Sequence, residues 1–314
     1  MRPTDSVSIL GFGRSGTTWV SDIVSKASGR AVLFEPLHPE VLDRSRELSY
    51  RSEYDDADSR YLYDHLLSLL AKGDKSPWLL RNHLPWPPHE IDAHLTGLIW
   101  DEIQILGFKS IRATLAPDWV VEKFGRRMLF VMRHPLAVMA SVTRRTNFWE
   151  FGWPDTYEIF IANSLASKHA ITRGVRDLFE SRPAPVSALE RVATMWAITH
   201  AVALPKLEGL GIPVFFYEDL YERPFTTSRK MLRHLGLNAD DLLPTYLFTP
   251  AMTTMRTLHG KGALKNQDGS SVPQDFFWRE TLDTDAQRQV LEIVDAYGIG
   301  LYDPDGSRTR ASTH

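Results

Sequence analysis

The residues that invite a chemical reading begin at the run Leu10-Gly11-Phe12-Gly13-Arg14-Ser15-Gly16-Thr17-Thr18-Trp19, which joins an apolar stretch to an amphipathic one. A Gly-rich turn that opens a helix aims backbone N–H groups at an anion, and the helix dipole favours negative charge there. Gly11, Gly13 and Gly16 let the backbone turn tightly and come close to a ligand. Arg14 adds a planar cationic fork, and Ser15, Thr17 and Thr18 add hydroxyls. Gly11 and Gly16 have Walker A spacing, but Thr17 stands where a nucleotide triphosphatase needs the lysine that reaches the β- and γ-phosphates. That difference counts against ATP or GTP hydrolysis, and a turn that binds nothing is the bland alternative. A second anion site is readable at Arg133, at the end of an apolar run, with Ser141 eight residues further on. Arg133 can fork a phosphate and Ser141 can donate a hydroxyl to the same group. Two such pockets suit a ligand that carries two anionic groups.

These residues need a scaffold, and the apolar pattern supplies one. Strands are expected at 6–10, 31–34, 105–109, 128–132 and 213–217. Helices are expected at 17–27, 60–71, 118–124, 136–144, 155–179, 189–207, 226–235 and 284–297. Val20, Ile23 and Val24 recur at helical spacing behind the glycine loop, and Pro135 suits a first helical turn. Short apolar runs alternating with amphipathic segments predict an α/β fold with a mostly parallel sheet. The stretch 76–94 is rich in Pro, Trp and His and reads as an irregular insertion or a pocket wall. The stretch 260–271 reads as a mobile loop, and the polar tail from 303 as frayed.

Composition narrows the functional classes. The chain has 314 residues, 43% hydrophobic and 24% charged, as in ordinary globular proteins. With 36 Lys and Arg against 39 Asp and Glu, the net charge is −3, which opposes a globally basic nucleic-acid binder. The absence of cysteine removes disulfides, Cys-ligated zinc, iron–sulfur clusters and a Cys nucleophile. No run approaches the ~20 apolar residues of a membrane span, and residues 1–10 carry no signal-peptide pattern. A cytoplasmic protein without a membrane anchor is expected. No metal site is expected either. His89 and His94 are five apart, not the four that puts two ligands on one helix face, and His200 among Ile198, Ala201 and Val202 reads as a satisfied core histidine.

The run from Arg14 to Trp19 resembles the 5′-phosphosulfate loop of the sulfotransferase superfamily, which uses 3′-phosphoadenosine 5′-phosphosulfate (PAPS). Arg133 and Ser141 resemble that family's 3′-phosphate pair. Tyr217-Glu218-Asp219-Leu220 looks like its Tyr-Glu-Asp-Leu element, Trp278-Arg279-Glu280-Thr281-Leu282 like its C-terminal Trp-Arg element, and Gly260-Lys261-Gly262 like its basic glycine loop over the 3′-phosphate. The resemblance implies a three-layer α/β/α, P-loop-like fold with a central, mostly parallel five-stranded sheet. It implies one domain over 1–302, with a variable acceptor-binding insertion near 40–105 and a flexible tail at 303–314. Cofactor contacts would come from Arg14, Ser15, Gly16, Thr17, Thr18, Trp19, Arg133, Ser141, Tyr217 and Lys261, with Trp19 and Tyr217 at the adenine.

Cytosolic members carry a Lys-x-His pair on a strand. Here Lys109 is present and Ile111 stands at the His position. The run Phe34-Glu35-Pro36 is closer to the carbohydrate sulfotransferases, which place an acidic residue some twenty positions after the loop arginine. The resemblance therefore implies Glu35 as general base, with His38 as its rival and Lys109 stabilising the bridging oxygen. Apolar Phe34 and Leu37 flank Glu35, and a carboxylate tied up in a structural ion pair is the competing reading. The acceptor would be a hydroxyl of a carbohydrate or a glycosylated small molecule; a homodimer is left open. Trp78, Trp86, Trp149 and Trp153 suit a sugar cleft but read more readily as packing. The alternatives are an ATP-dependent P-loop small-molecule kinase and a non-catalytic nucleotide- or glycan-binding module.

Overall fold

The computed structural model describes residues 3–72, 76–80, 100–143, 154–238 and 278–302. Five strands, β1 (Val7–Leu10), β2 (Ala31–Phe34), β3 (Ile105–Ser110), β4 (Met128–Met132) and β5 (Val214–Phe216), form one sheet in the order β2-β3-β1-β4-β5. Every pairing is parallel. β1 to β4 are buried along their whole length, which is why apolar residues dominate them.

Helices in chain order are α1 (Thr17–Ser28), α2 (Ser45–Leu48), α3 (Asp56–Leu70), α4 (Pro117–Phe124), α5 (Pro135–Thr143), α6 (Pro154–Ser164), α7 (Ala170–Glu180), α8 (Ala188–Leu210), α9 (Tyr217–Glu222), α10 (Pro224–His234), α11 (Trp278–Thr281) and α12 (Thr284–Ala296). Two cores flank the sheet and make the three layers. On one face Val7, Ile9, Val32 and Leu129 meet Val20, Ile23 and Val24 of α1 and Met231 and Leu232 of α10. On the other Leu33, Phe108 and Phe130 meet Leu62 and Leu66 of α3, Val120 and Phe124 of α4 and Leu207 of α8. Val20, Ile23 and Val24 are almost wholly buried, each contributing about 2 kcal/mol of hydrophobic stabilisation. α5 is buried almost all round, with α8 and α12 packed about it.

Three expected elements come out differently. The helix expected over 60–71 starts four residues earlier, at Asp56, where the Asp55 side chain accepts the Asp58 N–H and caps it. The helix expected over 155–179 is two helices, α6 and α7. Ser167 Oγ accepts the His169 N–H (3.0 Å) and His169 Nδ1 accepts the Ile171 N–H (3.3 Å), while Arg176 Nε donates to the Leu165 carbonyl (2.7 Å). Side-chain partners of this kind end one helix and start another. α8 runs through Pro205 to Leu210, one turn beyond expectation, and stops at left-handed Gly211 (φ 61°). No helix among the described residues is long and apolar enough to cross a membrane.

The connection out of β1 leads through α1 to β2 at one edge, whereas β4 leads on to β5 at the other. Adjacent strands whose connections diverge leave a crevice at their carboxyl ends, where open α/β sheets take ligands.

Candidate functional site

The glycine loop follows β1 at that crevice. Gly16 is the N-cap of α1 in the left-handed region (φ 88°), and no side chain caps the helix. A Cβ there would stand 2.3 Å from Tyr217 Cδ2, so only glycine fits beneath that ring. A Cβ on Gly11 would stand 2.3 Å from the Val131 carbonyl oxygen. The first helical bond runs from the Val20 N–H to the Gly16 carbonyl (3.1 Å), so the N–H groups of Thr17, Thr18 and Trp19 precede any intrahelical partner. Ser15 is wholly buried, and its Oγ has no hydrogen-bond partner among the described residues.

Arg14 is left-handed (φ 68°), a conformation that costs energy in a non-glycine residue. Its Nε donates to Ser141 Oγ (3.0 Å), and its carbonyl accepts from Arg133 Nη1 (3.2 Å). The two groups of residues expected to form separate anion pockets therefore meet, because β1 and β4 are neighbours and both loops end on the same side. Arg133 is buried with its guanidinium 4.2 Å from the centre of the Tyr217 ring, and Tyr217 meets Trp19 edge-on at 5.6 Å.

Glu35 directly follows β2 and is also left-handed (φ 47°). Its N–H donates to the Lys109 carbonyl (2.9 Å), continuing the β2–β3 ladder by one residue. The residue is 2% exposed. Its carboxylate accepts from Lys109 Nζ (2.6 Å) and, on both oxygens, from the Ile111 N–H (3.1 Å), with Arg112 Nη1 3.6 Å away. The apolar flank read from Phe34 and Leu37 is thus only half of the setting. Lys109 is buried, with its ammonium also 4.2 Å over the Phe34 ring. Thr114 Oγ1, 3.1 Å from the Gly11 carbonyl oxygen, ties the turn after β3 to the glycine loop.

His38 lies near Glu35 with its ring stacked on Trp78 (4.0 Å, 22°), and its Nδ1 accepts the Glu40 N–H (3.2 Å). Trp78 also meets Phe34 edge-on, so this tryptophan stands at the Glu35 end of the sheet. His200 is fully buried and donates from Nδ1 to the Trp196 carbonyl (2.7 Å), while its Nε2 has no partner among the described residues. Burial pushes its pKa down to about 4, against the raising effect of that hydrogen bond. Trp86, Trp149, Trp153, His89, His94 and Lys261 lie outside the described residues. The described residues hold no group of three or more His, Asp or Glu able to bind a metal.

Sequence reasoning passed over Arg112 and assigned no role to Glu218. Arg112 was signalled only by being a cation just past a buried strand. Glu218 lay inside the Tyr-Glu-Asp-Leu run, but its partners His134 and Tyr302 are 84 residues away on either side.

No protein-family model and no curated protein matches this chain. Among solved structures it is similar to the sulfotransferase domain from the Synechococcus PCC 7002 olefin synthase, at 17% identity over 96% of this chain and 97% of that one (TM-score 0.47). It is also similar to the sulfotransferase domain from the curacin biosynthetic pathway, at 14% identity over 95% and 99% (TM-score 0.46). Retinol dehydratase in complex with androsterone and the inactive cofactor PAP is similar at 14% identity over 95% and 81% (TM-score 0.39). Function has to be argued from the residues of the site.

Proposed function

We propose that the protein is a PAPS-dependent sulfotransferase acting on a hydroxyl of a carbohydrate or glycosylated small molecule. The observation that supports this most is the junction of Arg14, Arg133 and Ser141 beside the uncapped start of α1, in a loop with Thr17 in place of the Walker lysine. The residues present fit a bis-phosphorylated nucleotide. Ser15 Oγ is an orphaned buried hydroxyl in the loop, the start of α1 carries no side-chain cap, and two guanidinium groups supply forked donors.

When bound, PAPS supplies a sulfuryl group on a phosphate leaving group. The loop N–H groups, Ser15, Thr17, Thr18 and Arg14 would hold the 5′ end and oppose the charge that builds there. Arg133 and Ser141 would hold the 3′-phosphate, and Trp19 and Tyr217, which meet edge-on, would stand at the adenine; Lys261, expected at the 3′-phosphate, lies outside the described residues. Glu35 takes the proton of the acceptor hydroxyl, with Lys109 and Arg112 holding its carboxylate in place. His38, stacked on Trp78, is the competing base. Trp78, half-buried and packed edge-on against Phe34, is the aromatic surface beside Glu35 that would meet a sugar ring.

Thermal unfolding with PAP, the desulfated nucleotide, tests this reading. At 100 times its dissociation constant PAP should add about 2.7 kcal/mol of stability, and Arg14→Ala and Arg133→Ala should each lose that gain. A response to ATP with Mg²⁺ but not to PAP would overturn it in favour of a kinase. Binding of PAP with no sulfuryl transfer, unaltered by Glu35→Ala and His38→Ala, would favour a binding module.

A further inference from the structure

One buried carboxylate sits beside the candidate nucleotide site without touching the reacting groups assigned above. Glu218, the second residue of α9, is 7% exposed. Its Oε1 accepts the His134 N–H (2.8 Å) and its Oε2 accepts the Tyr302 O–H (3.1 Å). His134 follows Arg133 directly, and its Nδ1 accepts the Leu136 N–H (3.1 Å) at the start of α5, the helix that carries Ser141. The His134 ring lies parallel to Trp278 (5.6 Å, 6°) and edge-on to Tyr302 (4.8 Å). Glu218 thus joins three parts of the chain: the turn after β4, the turn after β5 that holds Tyr217, and the segment after α12.

We propose that Glu218 is a positioning residue, which together with Tyr302 holds the Arg133 guanidinium against the Tyr217 ring so that it meets the second phosphate of the nucleotide. Burial raises the Glu218 carboxyl on balance, against the lowering effect of the His134 N–H, its own backbone N–H, the Arg133 charge and the Tyr302 hydroxyl. The proposal rests on the sulfotransferase reading only for the identity of the anion; the clamp itself is geometry.

The test uses Glu218→Gln and Tyr302→Phe. Tyr302→Phe keeps the ring packed on His134 and on Phe216 (5.7 Å) and removes only the hydroxyl, so it retains the fold if Glu218→Gln does not. Calorimetry compares PAP with AMP, which lacks the 3′-phosphate. Both variants should weaken PAP by about tenfold or more, leave AMP unchanged, and leave kcat at saturating PAPS near that of wild type. Crystal structures of the variants should show the Arg133 guanidinium displaced from the Tyr217 ring. Unchanged PAP affinity, equal weakening of both ligands, or Arg133 in its original place in both variants would overturn the proposal. A wild-type protein that does not prefer PAP over AMP sinks the sulfotransferase reading instead, and the Arg133 position in the variants still decides the clamp.

Discussion

Glu35 concentrates the energetics of the site in one side chain. It sits in a left-handed backbone conformation and is buried, with Lys109 and Arg112 against its carboxylate. Left-handed non-glycine residues persist where surrounding contacts over-determine them, and they cluster at functional sites. Among the described residues there are four: Arg14, Glu35, Tyr50 and Lys72. The first two carry the proposed chemistry. Tyr50 lies under the Arg112 guanidinium (5.9 Å), and its N–H donates to the Arg112 carbonyl (2.7 Å). Glu35→Gln should therefore do two separable things. It should lower kcat by about 10²–10⁴-fold through loss of the base while PAP affinity, read by calorimetry, stays within a few-fold of wild type. It should also destabilise the fold by about 3–5 kcal/mol, because two buried cations lose their counter-charge; denaturant unfolding reads that term. A variant that stays fully active would move the proton to His38.

The elements differ in how openly the sequence declares them. β1 to β4 and α1 were legible because burial on both faces, or on one stripe, leaves an apolar pattern that no other arrangement explains. The glycine loop and Arg133 were legible for the same reason: each directly follows such a strand. The break between α6 and α7 was not, because Ser167, His169 and Arg176 end one helix and begin the next through side-chain bonds that apolar periodicity does not encode. The company of Glu35 was equally hidden, since Lys109 and Arg112 reach it only once β2 pairs with β3. Some elements are stabilised far from the site. Ser187 and Glu190 form a reciprocal cap on α8: Ser187 Oγ accepts the Glu190 N–H (3.1 Å) and Glu190 Oε2 accepts the Ser187 N–H (2.7 Å). Ser187→Ala should cost about 1 kcal/mol, seen as a lower urea midpoint with an unchanged slope, and should leave PAP binding untouched. Loss of binding there would mean that α8 transmits its frayed end to the Phe12–His200 contact beneath the glycine loop.

At the scale of the whole molecule, His200 links stability to pH. It is buried between Phe12, Phe130 and Trp196. Its pKa is lowered to about 4 in the folded protein from 6.5. The unfolded chain takes up a proton below pH 6.5 and the folded chain only below about 4, so stability is lost as pH falls through that window and is fully present above it. The loss from this group amounts to about 3 kcal/mol by pH 4. His200→Gln should flatten the dependence of unfolding free energy on pH between 6.5 and 4 by up to one proton's worth. A variant with the wild-type slope would assign the acid sensitivity to other groups.

The order β2-β3-β1-β4-β5 also has a consequence during synthesis. Gly16, Glu35, Lys109, Arg133 and Tyr217 each belong to a different strand end, and Glu218 closes the turn after the last strand. Parallel neighbours are far apart along the chain and pair slowly. A nascent chain still emerging from the ribosome therefore has the glycine loop early but no pocket around it. On the proposed function, nucleotide would be gripped only after the fifth strand has docked, so the ligand would stabilise finished molecules and not partial ones.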